Sequence, residues 1–139
     1  YEFAKMIGES EELEPEKLYI LRTAAIVHDI GIKISEKKYG SSGGKYQEKE
    51  GPAVAEPMLC ALGYDEAVID RVLFLIAHHH TYTGIEGEDY QILVEADFLV
   101  NLFEDGSSRE TAEKVRENIF KTKTGMKYLE TLFLTERRS

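Results

Sequence analysis

Histidines and two of the aspartates in this chain occur in an arrangement that suits metal binding. A doublet, a triplet and a lone carboxylate supply them, namely His28-Asp29, His78-His79-His80 and Asp97. The chain has 4 histidines, so the doublet and the triplet contain all of them. Divalent metal ions take neutral imidazole nitrogens and carboxylate oxygens as ligands, and catalytic sites leave one position open for water. These residues therefore predict a catalytic metal site.

The segment around the doublet predicts a helix that ends against the metal ion. Residues 23–27 are small or apolar, which lets a second helix approach closely. Gly31 follows the doublet and is typical of a helix end, because glycine readily adopts the left-handed cap. Since neighbouring helical side chains point roughly 100° apart, the consecutive ligands His28 and Asp29 require the helix end itself to face the ion. A second helix must bring the remaining ligand.

The chain resembles the HD domain family of metal-dependent phosphohydrolases in three segments that occur in the family's order. The segments are His28-Asp29-Ile30-Gly31, Ile76-Ala77-His78-His79 and Ala96-Asp97-Phe98-Leu99. The resemblance runs from the first helix to Asp97 and implies a compact all-α bundle, with the residues after roughly position 105 as added helices. It implies that His28, Asp29 and Asp97 bind a divalent transition metal, for which iron, manganese, cobalt, nickel and zinc all qualify.

The family also carries one further metal-binding histidine, on a helix that precedes the doublet. No histidine precedes His28 in this chain. The chain opens at Tyr1 without a methionine, in a segment that resembles the family's first helix. We therefore expect the remaining ligand to lie just upstream of Tyr1.

The resemblance leaves open whether the site holds one ion or two. Relatives with two ions use a histidine four residues before a glycine on the next helix, followed by a pair of histidines. Here the glycine is Gly51 and the position four before it is Gln47, a poor metal ligand beside imidazole. Glu50 lies nearby and offers a carboxylate in its place.

The histidine triplet is expected to serve a second ion or the substrate. His78 and His79 are the predicted contributors, and His80 is expected to be a bystander at the helix terminus. A simpler interpretation is one core histidine with two solvent-facing neighbours, since positive charge is favourable at a helix C-terminus.

Four lysines follow the doublet in or beside a glycine- and serine-rich segment, namely Lys33, Lys37, Lys38 and Lys45. Ammonium groups and flexible backbone amides can hold a phosphate beside a metal, so Lys33 and Lys45 are candidate phosphate-binding residues. Ordinary surface lysines would show the same pattern. The cyclic-dinucleotide branch of the family has a lysine where this chain has Ile32, and its glycine-tyrosine-proline signature is absent after the triplet. We therefore predict a different branch.

Composition restricts the class of protein. At 139 residues the chain is long enough for one domain, predicted over residues 1–139, that buries its own core. Its net charge of -9 argues against binding to duplex nucleic acid, which depends on neutralising phosphates. Cys60 is the single cysteine, suits a reducing cytosol and is expected to be buried. No signal peptide or membrane-spanning segment is visible, so we expect a cytoplasmic protein without membrane contact. The sequence leaves the oligomeric state open.

The hydrophobic pattern predicts helices nearly throughout the chain. The main boundaries are a helix start at Pro15, a loop over residues 37–47, helix starts at Gly51 and Asp65, a capping box at Ser107, and helices over 111–121 and 125–134.

The residues and the resemblance together predict a hydrolase that acts on a small phosphorylated metabolite such as a nucleotide. Asp29 is the expected catalytic residue, which orients a metal-activated water molecule or accepts its proton. Two other classes stay open: a non-catalytic metal- or ligand-binding regulatory module, and an iron-dependent oxygenase of the same architecture. The oxygenase needs a complete two-metal set, which Gln47 disfavours.

Overall fold

Every regular element in the described part of the chain is a helix. The computed structural model describes residues 1–41 and 43–134; Ser42 and residues 135–139, the end of the predicted domain, lie outside the described residues. The helices are α1 Glu2–Ser10, α2 Pro15–Val27, α3 Ile32–Tyr39, α4 Gly44–Ala61, α5 Glu66–His78, α6 Glu88–Glu104, α7 Arg109–Asn118 and α8 Lys123–Leu129, with a π-helical turn at Glu130–Leu134. Within the described ranges no strand occurs, which confirms the predicted all-α fold.

Helix α6 is the central element of the bundle. All of its residues from Asp89 to Ala96 are buried, so this stretch has no side facing solvent. A helix that is buried all round must be covered from several directions, and α1, α2 and α8 pack against it. Asp97 follows directly after the buried stretch, on the same helix.

Helix α2 joins the central helix to the α4 and α5 pair. It packs against α5 on one side and α6 on another, while α4 packs along α5 and α3 packs on α4. Leu21 of α2, Leu59 of α4 and Leu75 of α5 are among the fully buried side chains of this core. The packing places α5 and α6 each against α2, so the three helices that carry or end at the candidate metal ligands meet around α2.

The predicted loop at residues 37–47 is wrong at both ends. Helix α3 continues to Tyr39 and α4 already begins at Gly44, well before the predicted start at Gly51. The first turns of α4 are polar, and their buried members are Gln47, Glu48 and Glu50. Hydrogen bonds allow these polar side chains to be buried. Because they are polar, hydrophobic periodicity gives no sign of this part of the helix.

Three other helices begin at or within one residue of the predicted positions. The predicted starts are confirmed for α2, which begins at Pro15, and for α5, which begins directly after Asp65. The residue that caps α7 is Ser108, whose side chain accepts a hydrogen bond from Thr111 N, one position later than the predicted box.

Cys60 is exposed, so the prediction that it is buried is wrong. Among the described residues no helix is both long and apolar enough to span a bilayer.

A buried carboxylate holds the C-terminal helices onto α6. Glu95 is fully buried, and its oxygens accept hydrogen bonds from Gln91 Nε2 (2.6 Å), Lys121 N (3.0 Å), Thr122 N (3.1 Å) and Thr122 Oγ1 (2.6 Å). A Cβ at Gly125 would lie 1.9 Å from Glu95 Oε1, so this close approach requires glycine. These donors, most of them just before α8, therefore compensate the cost of burying the Glu95 carboxylate.

We expect Glu95→Ala to lower the free energy of unfolding by about 3 kcal/mol, because it leaves buried donors without an acceptor and opens a cavity. Urea unfolding measures this loss. Glu117→Ala is the matched control, because Glu117 is exposed on α7, and we expect it to change stability by less than about 0.5 kcal/mol. Equal stability of the two variants would contradict the assigned role of Glu95.

Candidate metal centre

Two helix ends and the side of a third helix meet at the candidate site. His28 occupies the C-cap of α2 and His79 the C-cap of α5, while Asp97 lies within α6. The His28 and His79 rings meet edge to face, with their centroids 5.3 Å apart. The predicted position of the doublet at a helix end is confirmed, but the expected left-handed cap at Gly31 is wrong, because Gly31 has a φ of -82° and is the N-cap of α3.

Backbone hydrogen bonds orient both histidine rings. His28 Nδ1 lies 2.7 Å from the carbonyl oxygen of Ala25, and His79 Nδ1 lies 2.7 Å from the carbonyl oxygen of Ile76. Because a carbonyl oxygen only accepts, each Nδ1 must carry the proton, and in the neutral ring the lone pair is then on Nε2. A metal ligand held in this way is fixed in both tautomer and direction.

Two glycines allow α4 to lie close to the helix ends that carry the site. A Cβ at Gly31 would lie 2.8 Å from the backbone nitrogen of Gly51, and a Cβ at Gly51 would lie 2.6 Å from Ile76 Cγ2. Both distances are shorter than real Cβ atoms show. The sequence therefore uses glycine here for close approach of α4 to the end of α2 and to α5.

The carboxylates of Asp29 and Asp97 lie against His28. His28 Nε2 is 3.2 Å from Asp29 Oδ2 and 3.4 Å from Asp97 Oδ1. Burial lowers the pKa of His28, but the hydrogen bond with Asp97 and the charge of Asp29 outweigh it, so the pKa lies above its ordinary value. Burial likewise raises the pKa of Asp97, but His28 outweighs it and holds this pKa below the usual range.

The Nε2 atom of His79 is buried without a hydrogen-bond partner. The residue is fully buried, and Nε2 lies 3.9 Å from Asp29 Oδ1. Burial is the main cause that lowers the pKa of His79, and the neighbouring His80 lowers it further, to about 4. At neutral pH its ring is therefore uncharged, which is the form that binds a metal.

His80 belongs to the same group of side chains, although the sequence predicted that it contributes no ligand. Asp29, His79 and His80 each offer a ligand atom, and these atoms lie within 4.8 Å of one another. His80 Nδ1 is also 4.0 Å from Asp97 Oδ2. Helical periodicity does not apply past the end of α5 at His78, so the direction of His80 depends on how the chain turns there.

His78 lies away from this group. Its Nδ1 lies 2.8 Å from the carbonyl oxygen of Phe74, and its ring stacks on the Phe74 ring with centroids 4.2 Å apart. Its ring also lies near that of Tyr90, at 6.4 Å. The structure thus brings together His79 and His80 of the triplet rather than His78 and His79, and a ligand role for His78 stays a prediction.

Gln47 and Glu50, the candidates for a second ion, occupy different surroundings. Gln47 Oε1 is 3.1 Å from His80 Nε2, at the edge of the group. Glu50 faces α3 and accepts hydrogen bonds from Lys38 Nζ (2.8 Å) and Tyr39 Oη (2.9 Å). The sequence predicted a loop at Lys38 and Tyr39 and so gave no sign that they hold Glu50. Its ligand role stays a prediction.

The two candidate phosphate-binding lysines lie on different helices. Lys33 is exposed on the first turn of α3, close in sequence to the doublet. Lys45 is exposed on α4, 3.4 Å from Glu48 Oε1 and 3.3 Å from Thr81 Oγ1. Neither lysine contacts Asp29 or Asp97, and their phosphate roles stay predictions.

A cavity of about 170 Å³ opens beside His28, Asp29 and Asp97. Helix α6 lines it with Asn101 and Glu104, which follow Asp97 on the same helical face. Sequence reasoning missed these two residues, although their spacing of four and seven positions from Asp97 is the signal that identifies them. The cavity leaves room for a small molecule beside these three candidate ligands.

Comparison with known proteins identifies the family. The HD domain model matches residues 1–122, most of the chain. The match extends beyond Asp97, where the residue-by-residue resemblance ended, and includes α7. No curated protein and no solved structure matches the chain. The exclusion of the cyclic-dinucleotide branch stays a prediction.

We expect added manganese to raise the melting temperature of the metal-stripped protein by about 8 °C, at a concentration about 100-fold above the dissociation constant. His79→Gln should lose most of this rise, because it removes the buried Nε2. His78→Gln is the matched control and should keep it. Differential scanning calorimetry of the three proteins checks this, and the opposite ranking of the two variants would contradict the assignment.

Proposed function

The chain belongs to the HD domain family, and on that premise we propose that it is a metal-dependent hydrolase of phosphoesters. Its substrate in this proposal is a small phosphorylated metabolite such as a nucleotide. The proposal depends on one observation above all: a fully buried, unpartnered imidazole nitrogen of His79 beside two carboxylates and two further histidines.

The donor set matches what a divalent transition metal requires. An unpaired buried polar atom costs about 1–3 kcal/mol, so a fold retains it where a ligand satisfies it. His28, Asp29, His79, His80 and Asp97 are the residues that would hold an ion. They offer imidazole nitrogens and carboxylate oxygens, which iron, manganese, cobalt, nickel and zinc all accept. A bound ion would supply a water molecule of lowered pKa and neutralise phosphoryl charge.

Asp29 is the residue we assign to proton transfer. Its side chain is half exposed, whereas that of Asp97 is 10% exposed. One oxygen lies 3.2 Å from His28 Nε2 and the other 3.9 Å from His79 Nε2, so Asp29 stands between both rings and still reaches solvent. It can therefore hold a water molecule in line with a phosphoryl group and accept its proton.

His28 and Asp97, two of the residues that would hold the ion, are already oriented by contacts within the protein. Asp97 is held by His28 at 3.4 Å and lies 3.5 Å from Asn101 Nδ2. Two neighbours thus limit the orientation of the carboxylate before anything binds. Such preorganisation lowers the cost of ordering the site when substrate arrives.

The proposal is tested by metal content and turnover measured on the same samples. The wild-type protein is purified without chelator and without a metal-affinity column. We expect it to contain near-stoichiometric metal and to hydrolyse members of a panel of phosphomonoesters and nucleotides. Asp29→Ala should lose metal and lower turnover at least about 100-fold. Treatment with a chelator should abolish turnover, and added metal should restore it.

Asp70→Ala is the matched control, because Asp70 is an exposed aspartate on α5. It should keep both metal and turnover. Turnover retained by Asp29→Ala would contradict the role of that residue. Wild-type protein that binds metal but hydrolyses no phosphoester would contradict the proposed activity and favour a binding role.

A further inference from the structure

Tyr82 lies beside the candidate metal centre, on the loop that connects α5 to α6. Its Oη is 3.3 Å from His80 Nδ1. Its ring packs at a tilt against Phe98, with centroids 4.9 Å apart, and Phe98 follows Asp97 in the chain. Tyr82 thus contacts one candidate ligand directly and the neighbour of another.

The loop that carries Tyr82 is held firmly at its start. Thr81 Oγ1 donates a hydrogen bond of 2.7 Å to Glu48 Oε2, and His80 N donates to the same oxygen at 3.2 Å. On the opposite side Tyr90 Oη donates to the carbonyl oxygen of Thr81. Contacts from α4 and α6 therefore fix the backbone one residue before Tyr82, and packing on Phe98 limits its ring.

The hydroxyl group of Tyr82 has a hydrogen to donate, and its partner is a nitrogen that faces the site. A tyrosine hydroxyl is protonated at neutral pH and acts as donor or acceptor. His80 Nδ1 is the ring nitrogen that lies 4.0 Å from Asp97 Oδ2. One nitrogen lone pair cannot both accept a hydrogen bond and bind a cation. When His80 Nδ1 takes a ligand, Tyr82 must direct its hydrogen to another acceptor.

We propose that Tyr82 is a substrate-binding residue whose hydroxyl donates a hydrogen bond to an oxygen of the substrate's phosphoryl group. This inference rests on the proposed phosphohydrolase function. The phosphoryl oxygens are the strongest acceptors that a phosphoester brings to the site, and a hydrogen bond to an anionic oxygen is stronger than one between neutral groups. Tyr82 is 39% exposed, so part of this residue faces the solvent from which a substrate would enter.

The test uses inorganic phosphate as the probe, titrated calorimetrically into manganese-loaded protein. We expect Tyr82→Phe to weaken phosphate binding about tenfold, because it deletes one hydrogen bond to an anion and keeps the ring. Metal content and melting temperature should stay at wild-type values. With a phosphomonoester that the wild type hydrolyses, kcat/KM should fall by a similar factor.

Tyr46→Phe is the matched control. Tyr46 is also 39% exposed, and its ring stacks on Tyr39 rather than on the candidate centre. We expect its phosphate affinity to stay within about twofold of wild type. Equal phosphate affinity of Tyr82→Phe and Tyr46→Phe would overturn the inference. Loss of metal from Tyr82→Phe would also overturn it, because Tyr82 would then serve only to orient His80.

The outcomes for wild-type protein separate this inference from the proposed function. Hydrolysis of a phosphoester without measurable phosphate binding, and with unchanged kcat/KM in Tyr82→Phe, would overturn the role of Tyr82 alone. Absence of both hydrolysis and phosphate binding from metal-loaded protein would overturn the proposed function and the role of Tyr82 together.

Discussion

The candidate centre depends on two hydrogen bonds between imidazole and backbone, at the ends of α2 and α5. They fix the protons of His28 and His79 on Nδ1 and direct Nε2 of each ring toward the same group of carboxylates. Each accepting carbonyl belongs to the last turn of a helix, where carbonyls lack a helical partner. The helix ends therefore position the ligands and satisfy their own backbone through the same contacts.

This arrangement has an energetic cost that metal binding would offset. His79 Nε2 is buried without a partner, and the carboxylate of Asp97 is nearly buried beside His28. A buried unsatisfied group costs about 1–3 kcal/mol, and an ion that binds only the folded state adds stability that grows with the logarithm of its affinity. Gly31 and Gly51 permit α4 to lie close to the end of α2 and to α5. Packing at the helix ends thus favours ligand binding at the expense of the stability of the metal-free protein.

The sequence predicted the parts of the fold that depend on local pattern. The starts of α2 and α5 and the all-α class follow from proline, a capping residue and hydrophobic periodicity, and the doublet lies at a helix end as predicted, although Gly31 is not the left-handed cap that was expected there. It failed where partners distant in sequence decide burial. The start of α4 is buried through polar contacts from α3 and from the segment after α5, so its side chains appear as loop residues. The position of His80 depends on the turn after α5, which no periodic pattern describes.

The metal centre is tested most directly by X-ray absorption at the metal edge of protein loaded with one equivalent of zinc or cobalt. Imidazole rings give a characteristic multiple-scattering signal that carboxylates and water lack. Ligation by more than one histidine together with oxygen ligands is the predicted result, with loss of imidazole scattering in His79→Gln. A shell of oxygen ligands alone, unchanged by that substitution, would contradict a metal centre at the ends of α2 and α5.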